Sequence, residues 1–138
     1  MTTLPIELSE LGGARELCNW FGYWPDFHDA EVVSISLNRS GVSRVSIYTW
    51  EMTDKTDKDG YYVQAKHVLV DFSLESIVDL NLNGFSHQNV IAGLTIENTK
   101  NGYRFTLDPC YGVSGVIEAA KASIRLRPGL LATSQVDT

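Results

Sequence analysis

The chain is poor in positive charge and in long apolar runs, and each shortage excludes a class of protein. Eleven Lys and Arg residues stand against 17 Asp and Glu residues, which gives a net charge of −6 and an isoelectric point near 4.9. Because no basic stripe is present, the sequence lacks a phosphate-binding surface, and nucleic-acid binding is disfavoured. The same acidity favours a basic protein partner. No segment approaches the run of about 18 apolar residues that predicts a membrane-spanning helix.

Cysteine is also scarce. Cys18 and Cys110 lie far apart, without a CxxC spacing or a histidine-rich neighbourhood. This favours free thiols in a reducing compartment over a disulfide. The first eight residues lack the basic and apolar regions of a signal peptide. We therefore expect a cytoplasmic protein that binds neither membrane nor nucleic acid.

Length and composition predict one globular domain over residues 1–138. The chain is 43% hydrophobic and 20% charged, which is ordinary for a folded protein. We expect residues 1–6 and 130–138 to be frayed, as polar termini commonly are.

One helix is predicted, near the N-terminus. Apolar residues from Leu8 to Phe21 gather on one side, Ser9 is a candidate N-cap, and Gly22 is typical of a helix end. The Gly12-Gly13 pair destabilises the middle of this helix, so the helix could instead begin only near Ala14. Its large residues Trp20 and Phe21 should contact the core.

From Glu31 onward the sequence reads almost entirely as strands. Apolar and polar residues alternate, and turn signals at 39–41, 53–60 and 98–102 separate the runs. No second helix is long enough to connect parallel strands. The prediction is an α+β fold: mainly an antiparallel β-sheet or sandwich of about seven strands, with one N-terminal helix packed on it.

The densest group of polar and aromatic residues is the segment 24–31, where a loop enters the first strand. In strand phase, Asp29 and Glu31 share a face with the apolar row that begins at Val33. Because burying an unpaired charge is costly, these carboxylates either fix the loop or face a partner. We expect His28 and Asp29 mainly to bond backbone groups that hold the loop at the sheet edge.

A second candidate pair, Trp50 and Glu51, ends the second strand pattern. Glu51 continues the row of Val45 and Ile47, so it could share a sheet face with Glu31. Paired carboxylates carry acid–base chemistry. The alternative function is therefore a small hydrolase, metal-dependent or based on carboxylates and histidine. Its candidate residues are His28, Asp29, Glu31 and Glu51.

Metal and nucleophile motifs are incomplete. The candidate metal ligands are His28, Asp29, Glu31, His67, His87 and Asp108. They form neither an HExxH motif nor a zinc spacing. The loop 53–60 fails as a calcium site because Lys55 and Lys66 fall where acidic ligands are required. Cys110 stands in a turn of proline and glycine, which favours structure over catalysis. We expect no metal and no cofactor.

The tryptophans allow two interpretations. Trp20, Trp24 and Trp50 could form an exposed binding patch with neighbouring tyrosines, since Trp and Tyr are enriched at interface hot spots. Such rings more often pack the core, and we favour that interpretation.

Several segments together resemble the immunity protein 50 family. They are residues 22–31, 49–52, 66–70, 84–90 and 108–112, and the most specific are Phe27-His28-Asp29-Ala30-Glu31 and Trp50-Glu51. The resemblance spans roughly Leu17 to Pro128. It implies a cytoplasmic protein of bacterial polymorphic toxin systems that binds and neutralises a cognate toxin without catalysis. The resemblance does not assign toxin contacts; our partner-binding candidates are Trp24, His28, Asp29, Glu31, Trp50 and Glu51.

Overall fold

A computed structural model describes residues 3–60 and 62–128, with only the main chain at 52–54 and 62–64. The C-terminal segment 130–138, where we expected fraying, lies outside the described residues, as do residues 1–2. Near the N-terminus, Leu4 packs against the core and a single turn of 3-10 helix spans Ile6–Leu8.

The helix α1 spans Ala14–Phe21. It therefore begins after the Gly12-Gly13 pair, and the 3-10 turn before the pair is a separate element. Gly13, and not Ser9, occupies the N-cap position, with a left-handed φ of 85°. A Cβ on Gly13 would lie 1.9 Å from the Ile124 carbonyl oxygen, so only glycine fits this close approach. Gly22 ends the helix as predicted, donating its N–H to the Cys18 carbonyl at 2.8 Å.

Within residues 3–60 and 62–128, six antiparallel strands form the sheet. They are β1 Glu31–Ser36, β2 Ser43–Thr56, β3 Tyr62–Asn83, β4 Val90–Thr99, β5 Gly102–Tyr111 and β6 Ser114–Pro128. Neighbours follow the order β1-β2-β3-β6-β5-β4, and the sheet closes on itself as a barrel. The α+β prediction with an N-terminal helix is confirmed. The count is six because two predicted strands merge into β3, and β2 continues to Thr56, into the predicted charged loop.

The barrel interior is filled by apolar side chains. Phe72 lies at its centre, with ring centroids 5.9 Å from Phe27 and 5.5 Å from Phe105. The enclosed space that remains measures about 10 Å³, too small for an organic ligand. Helix α1 buries Leu17 and Phe21 in the same core, and Trp20 packs on it while half-buried. Any binding surface must therefore lie outside the barrel.

Strand phase at β1 differs from the prediction. The register passes from Val32 opposite Ile47 to Ser34 opposite Ser46, so Val33 is an extra residue in a β-bulge. Val32, not Val33, is buried. The placement of Asp29 and Glu31 on the core-facing row is therefore wrong, because a one-residue bulge inverts the phase and Asp29 itself has a left-handed φ of 64°.

Glu31 and Glu51 consequently lie on opposite faces of the sheet. Glu31 is opposite Tyr48, while Glu51 keeps the phase of buried Thr49 because the extra residue here is on β3. Lys66, with φ 56°, is at that irregularity. The suggestion that the two glutamates share a face is thus wrong.

Candidate functional site

The segment 26–30 takes the place of a strand along β4. Strand β1 itself meets β4 at one pair, Glu31 opposite Val90. Before that point, the Asp29 N–H donates to the Ile91 carbonyl and the Ile91 N–H donates to the Ala30 carbonyl, both at 3.0 Å. The Leu94 N–H donates to the Asp26 carbonyl at the same distance. An irregular loop is therefore held at the sheet edge by main-chain hydrogen bonds.

Phe27 and His28 anchor this loop from opposite sides. Phe27 has a left-handed φ of 62° and its ring is fully buried in the core. The His28 Nδ1 is 3.1 Å from the Ala92 carbonyl oxygen, and the Asp26 carboxylate accepts the His28 main-chain N–H at 3.0 Å. The hydrogen bond to Ala92 and the nearby Asp29 carboxylate raise the pKa of His28 above its ordinary value.

The side chains of His28 and Asp29 nevertheless face solvent. Their exposed fractions are 67% and 58%, and the His28 Nε2 is 3.5 Å from the Asp29 Oδ2. The main chain of Asp29, not its carboxylate, bonds the sheet. The structure thus places a backbone-bonding side chain at His28 and leaves the Asp29 carboxylate available to a partner.

A groove of about 880 Å³ opens beside this loop. Its lining comes from the N-terminal turn, the loop before β1, the end of β2 and the middle of β4: Pro5, Glu7, Tyr23, Trp24, Pro25, Asp26, His28, Asp29, Trp50, Glu51, Leu94, Thr95 and Ile96. Five of the six partner-binding candidates therefore line one surface. Glu31 is not among the lining residues.

The groove is acidic. Its carboxylates are Glu7, Asp26, Asp29 and Glu51, and His28 is its one lining residue that can carry positive charge. Lys66 approaches Glu51 from outside the lining, with Nζ 3.3 Å from Oε2. Burial, and then the charges of Glu51 and Asp26, raise the pKa of Tyr23 above its ordinary value.

Stacked rings support the tryptophan side of the groove. The Trp50 ring centroid lies 5.5 Å from that of Tyr48 and 6.3 Å from that of His67. Tyr48 is hydrogen-bonded to His67 Nδ1, and burial raises its pKa. Trp50 and Trp24 are both half-buried, and Trp24 also packs against the core. Each ring therefore combines packing with an exposed part.

The four residues of the hydrolase alternative do not meet at one point: His28, Asp29 and Glu51 line the groove, and Glu31 does not. Glu31 and Glu51 lie on opposite faces, and Glu51 is paired with Lys66. Among residues 3–60 and 62–128, excluding the side chains left undescribed, no three His, Cys, Asp or Glu residues are placed to hold a metal ion. His67 is engaged by Tyr48, and Cys18 and Cys110 are free thiols.

Within the described residues, two carboxylates outside the groove are buried and have partners on both oxygens. Asp71 Oδ1 accepts hydrogen bonds from Ser46 Oγ and Arg127 Nη2. Asp71 Oδ2 lies 2.7 Å from Arg127 Nε in an ion-pair contact, although Nε makes no hydrogen bond of its own. Glu118 receives Thr99 and Asn101 on Oε2 and Arg104 on Oε1. The Thr99 hydrogen bond is the main cause that lowers the pKa of Glu118. These carboxylates hold neighbouring strands together.

Asn89 ties the segment 84–90, which carried part of the family resemblance, to Val113, which follows the segment 108–112. Its buried side chain accepts the N–H groups of Ser86 and Val113 and donates to the Ser86 carbonyl. The loop 84–90 is thereby tied to the turn after β5. This explains a structural use for the segment around Asn89, away from the groove.

Sequence reasoning missed three parts of the groove. Glu7 and the Leu94–Ile96 stretch of β4 come from distant parts of the chain and carry no local motif. Asp26 stood inside the motif, and its position before Phe27 and His28 was the available signal.

The fold and the groove define a small antiparallel β-protein with a preformed acidic and aromatic surface. The chain belongs to the immunity protein 50 family, whose sequence profile matches residues 13–125 of the 138. That range includes the loop of His28 and Asp29 and the end of β2. No curated protein and no solved structure is significantly similar to the chain. None of the helices within the described residues has the length and apolar character needed to cross a membrane.

Proposed function

We propose that this protein is a non-enzymatic immunity protein of the bacterial cytoplasm, which binds a cognate toxin and neutralises it. The observation that carries the proposal is the groove, in a chain whose family is named for immunity. Trp24, His28, Asp29, Trp50 and Glu51 are its candidate contacts. Rings fixed by packing suit recognition, because little side-chain entropy is lost when they bind.

Glu31 belongs to the same proposal in a different position. It is half-buried on the outer face of β1, opposite Tyr48, whose ring contacts the Trp50 ring at a tilt of 44°. A toxin that covers Trp50 and extends along this face would reach Glu31. We therefore keep Glu31 as a contact at the margin of the interface.

A binding role suits the geometry better than hydrolysis. A general acid and base must act on one reacting group from hydrogen-bonding distance. Glu31 and Glu51 face away from each other, and His28 uses Nδ1 on a main-chain carbonyl. An exposed ion pair beside two tryptophans is instead an ordinary arrangement for the polar rim of a protein interface.

The test is a titration of toxin activity with purified protein. A toxin gene is first sought beside the gene for this protein, and the isolated toxic domain that it encodes is mixed with increasing amounts of the protein. Binding without catalysis predicts complete neutralisation at one equivalent, with the toxin recovered intact. Complete neutralisation at a small fraction of an equivalent, or a cleaved toxin, would contradict the proposal and favour the hydrolase.

A double variant locates the surface. Asp29→Asn with Glu51→Gln removes two groove charges, and we expect weaker neutralisation. Glu97→Gln is the matched control, because Glu97 is an exposed carboxylate of β4 outside the groove lining. Equal neutralisation by both variants would place the interface elsewhere.

A further inference from the structure

The edge of β4 that faces the groove is incompletely paired. Main-chain groups of alternate strand residues point to opposite neighbours, and Leu94, Ile96 and Asn98 point away from β5. The Leu94 N–H donates to Asp26, and the Asn98 N–H donates to the Glu7 carboxylate at 3.4 Å. Between them, the Ile96 N–H has no partner among the described residues. The groove therefore contains a short stretch of open strand edge.

The carboxylates of the groove are also incompletely paired. One oxygen of each has a local contact. Asp26 accepts the His28 main-chain N–H, and Asp29 contacts the His28 ring. Glu51 pairs with Lys66, and Glu7 accepts the Asn98 N–H. Their second oxygens have no partner within the described part of the chain. Asp71 and Glu118, by contrast, have a contact on both oxygens: hydrogen bonds at Glu118, and at Asp71 hydrogen bonds on Oδ1 with an Arg127 ion-pair contact on Oδ2. The open oxygens surround the open edge.

We propose that the groove receives an extended, arginine- or lysine-bearing segment of the toxin, which adds to the edge of β4 at Leu94–Ile96. Main-chain hydrogen bonds to this edge would give affinity, and alternate side chains would be read by the groove. Basic side chains would meet the open carboxylate oxygens and the faces of Trp24 and Trp50, where cations are attracted by the ring. This inference rests on the proposed function and adds the chemistry of the partner.

Other occupants fit less well. An acidic segment would be repelled by four carboxylates with one weakly basic lining residue. An apolar helix would cover the carboxylates without pairing them, and covering an unpaired charge is costly. A helix also has no free main-chain groups to offer the Ile96 N–H, because its own hydrogen bonds use them.

The experiment uses a capped hexapeptide that alternates arginine and valine, added to the full-length ¹⁵N-labelled protein. We expect saturable shifts of the Ile96 amide and of the Trp24 and Trp50 indole N–H signals. Asp29→Asn and Glu51→Gln should each weaken peptide binding about two- to fivefold, the range of an exposed ion pair, and Glu97→Gln should leave it unchanged. A peptide N-methylated on alternate main-chain nitrogens should bind about fivefold more weakly, as loss of a hydrogen bond predicts.

Three results would overturn the inference. They are absence of shifts at millimolar peptide, equal binding of a peptide with glutamate in place of arginine, and shifts confined to residues outside the groove. Toxin titration separates the two proposals. Stoichiometric neutralisation without peptide binding refutes the partner chemistry alone, whereas groove binding by the peptide without neutralisation refutes the immunity function.

Discussion

Substitutions at Asp29 distinguish the contribution of its main-chain conformation from that of its carboxylate. The residue has a left-handed φ of 64°, a conformation that Asp, Asn and Gly adopt more readily than other residues. Its main-chain N–H bonds the Ile91 carbonyl, while its carboxylate is 58% exposed beside His28. Stability should therefore depend on the backbone preference at this position, and toxin affinity on the charge.

The magnitudes follow from that division. Asp29→Ala places a residue with no local compensation in the left-handed region and should cost about 1 kcal/mol. For a domain of this size, that lowers the melting temperature by about 3–5 °C. Asp29→Asn keeps the backbone preference and should melt within about 1–2 °C of the natural protein. Both variants lose the charge, so both should weaken toxin binding by a similar factor of about two to five.

The assay measures melting and toxin affinity on the same preparations, at low ionic strength. Asp29→Gly is the matched control for backbone strain, because it relieves φ and removes the charge together. The role of the carboxylate would be refuted if Asp29→Asn bound the toxin as tightly as the natural protein while Asp29→Ala melted at a lower temperature. Affinity that falls only in step with stability would support the purely structural role that the sequence favoured.

Four further results are expected. Asn89→Ala should lower the free energy of unfolding, measured in urea, by about 2–4 kcal/mol, because it leaves two main-chain N–H groups without their acceptor. A change below about 1 kcal/mol would contradict this. Trp20→Ala should cost about 2–3 kcal/mol, less than a fully buried ring, and an unchanged melting temperature would refute helix docking. Because its pKa is lowered in the folded protein, Glu118 contributes stability above its ordinary pKa of 4.5, and this contribution is lost as pH falls through the lower pKa of the folded state. Glu118→Gln should therefore flatten the acid side of the curve of stability against pH. A curve as steep as that of the natural protein would contradict this. Association with a basic toxin should slow as salt rises, since charges are screened beyond about 8–10 Å, and flat rates would remove the steering argument.

Local signals predicted the helix in part: its end at Gly22 was predicted, whereas a start near Leu8 with Ser9 as N-cap was wrong. Its start at Ala14 and its end at Gly22 depend on glycine conformations that act within one turn. Strand alternation also gave the antiparallel class. The merging of two runs into β3 and the bulge at Val33 were not predictable, because both depend on which residues the neighbouring strand presents.

The candidate site was predictable in its composition and not in its shape. Unusual density of rings and charges singled out the loop of His28 and Asp29 and the pair Trp50-Glu51. No local pattern could join them to Glu7, whose carboxylate meets the main chain 91 residues later, at Asn98. The groove depends on such distant contacts, and these follow only from closure of the barrel.

The groove follows from how that closure is made. A regular β1 reaching back along β4 would satisfy the Ile96 edge, yet the chain between the end of α1 and Asp26 is irregular. It contains Pro25, which has no N–H to donate to a neighbouring strand. The loop closes the barrel at Ala30 and Asp26 and leaves the edge beyond them open. The two buried carboxylates among the described residues, Asp71 and Glu118, each have a partner on both oxygens, unlike the carboxylates of the groove. Open oxygens, an open N–H and two half-exposed tryptophans coincide on one surface. That coincidence suits a partner-binding surface, because a second chain can offer contacts to groups that the protein itself leaves to solvent.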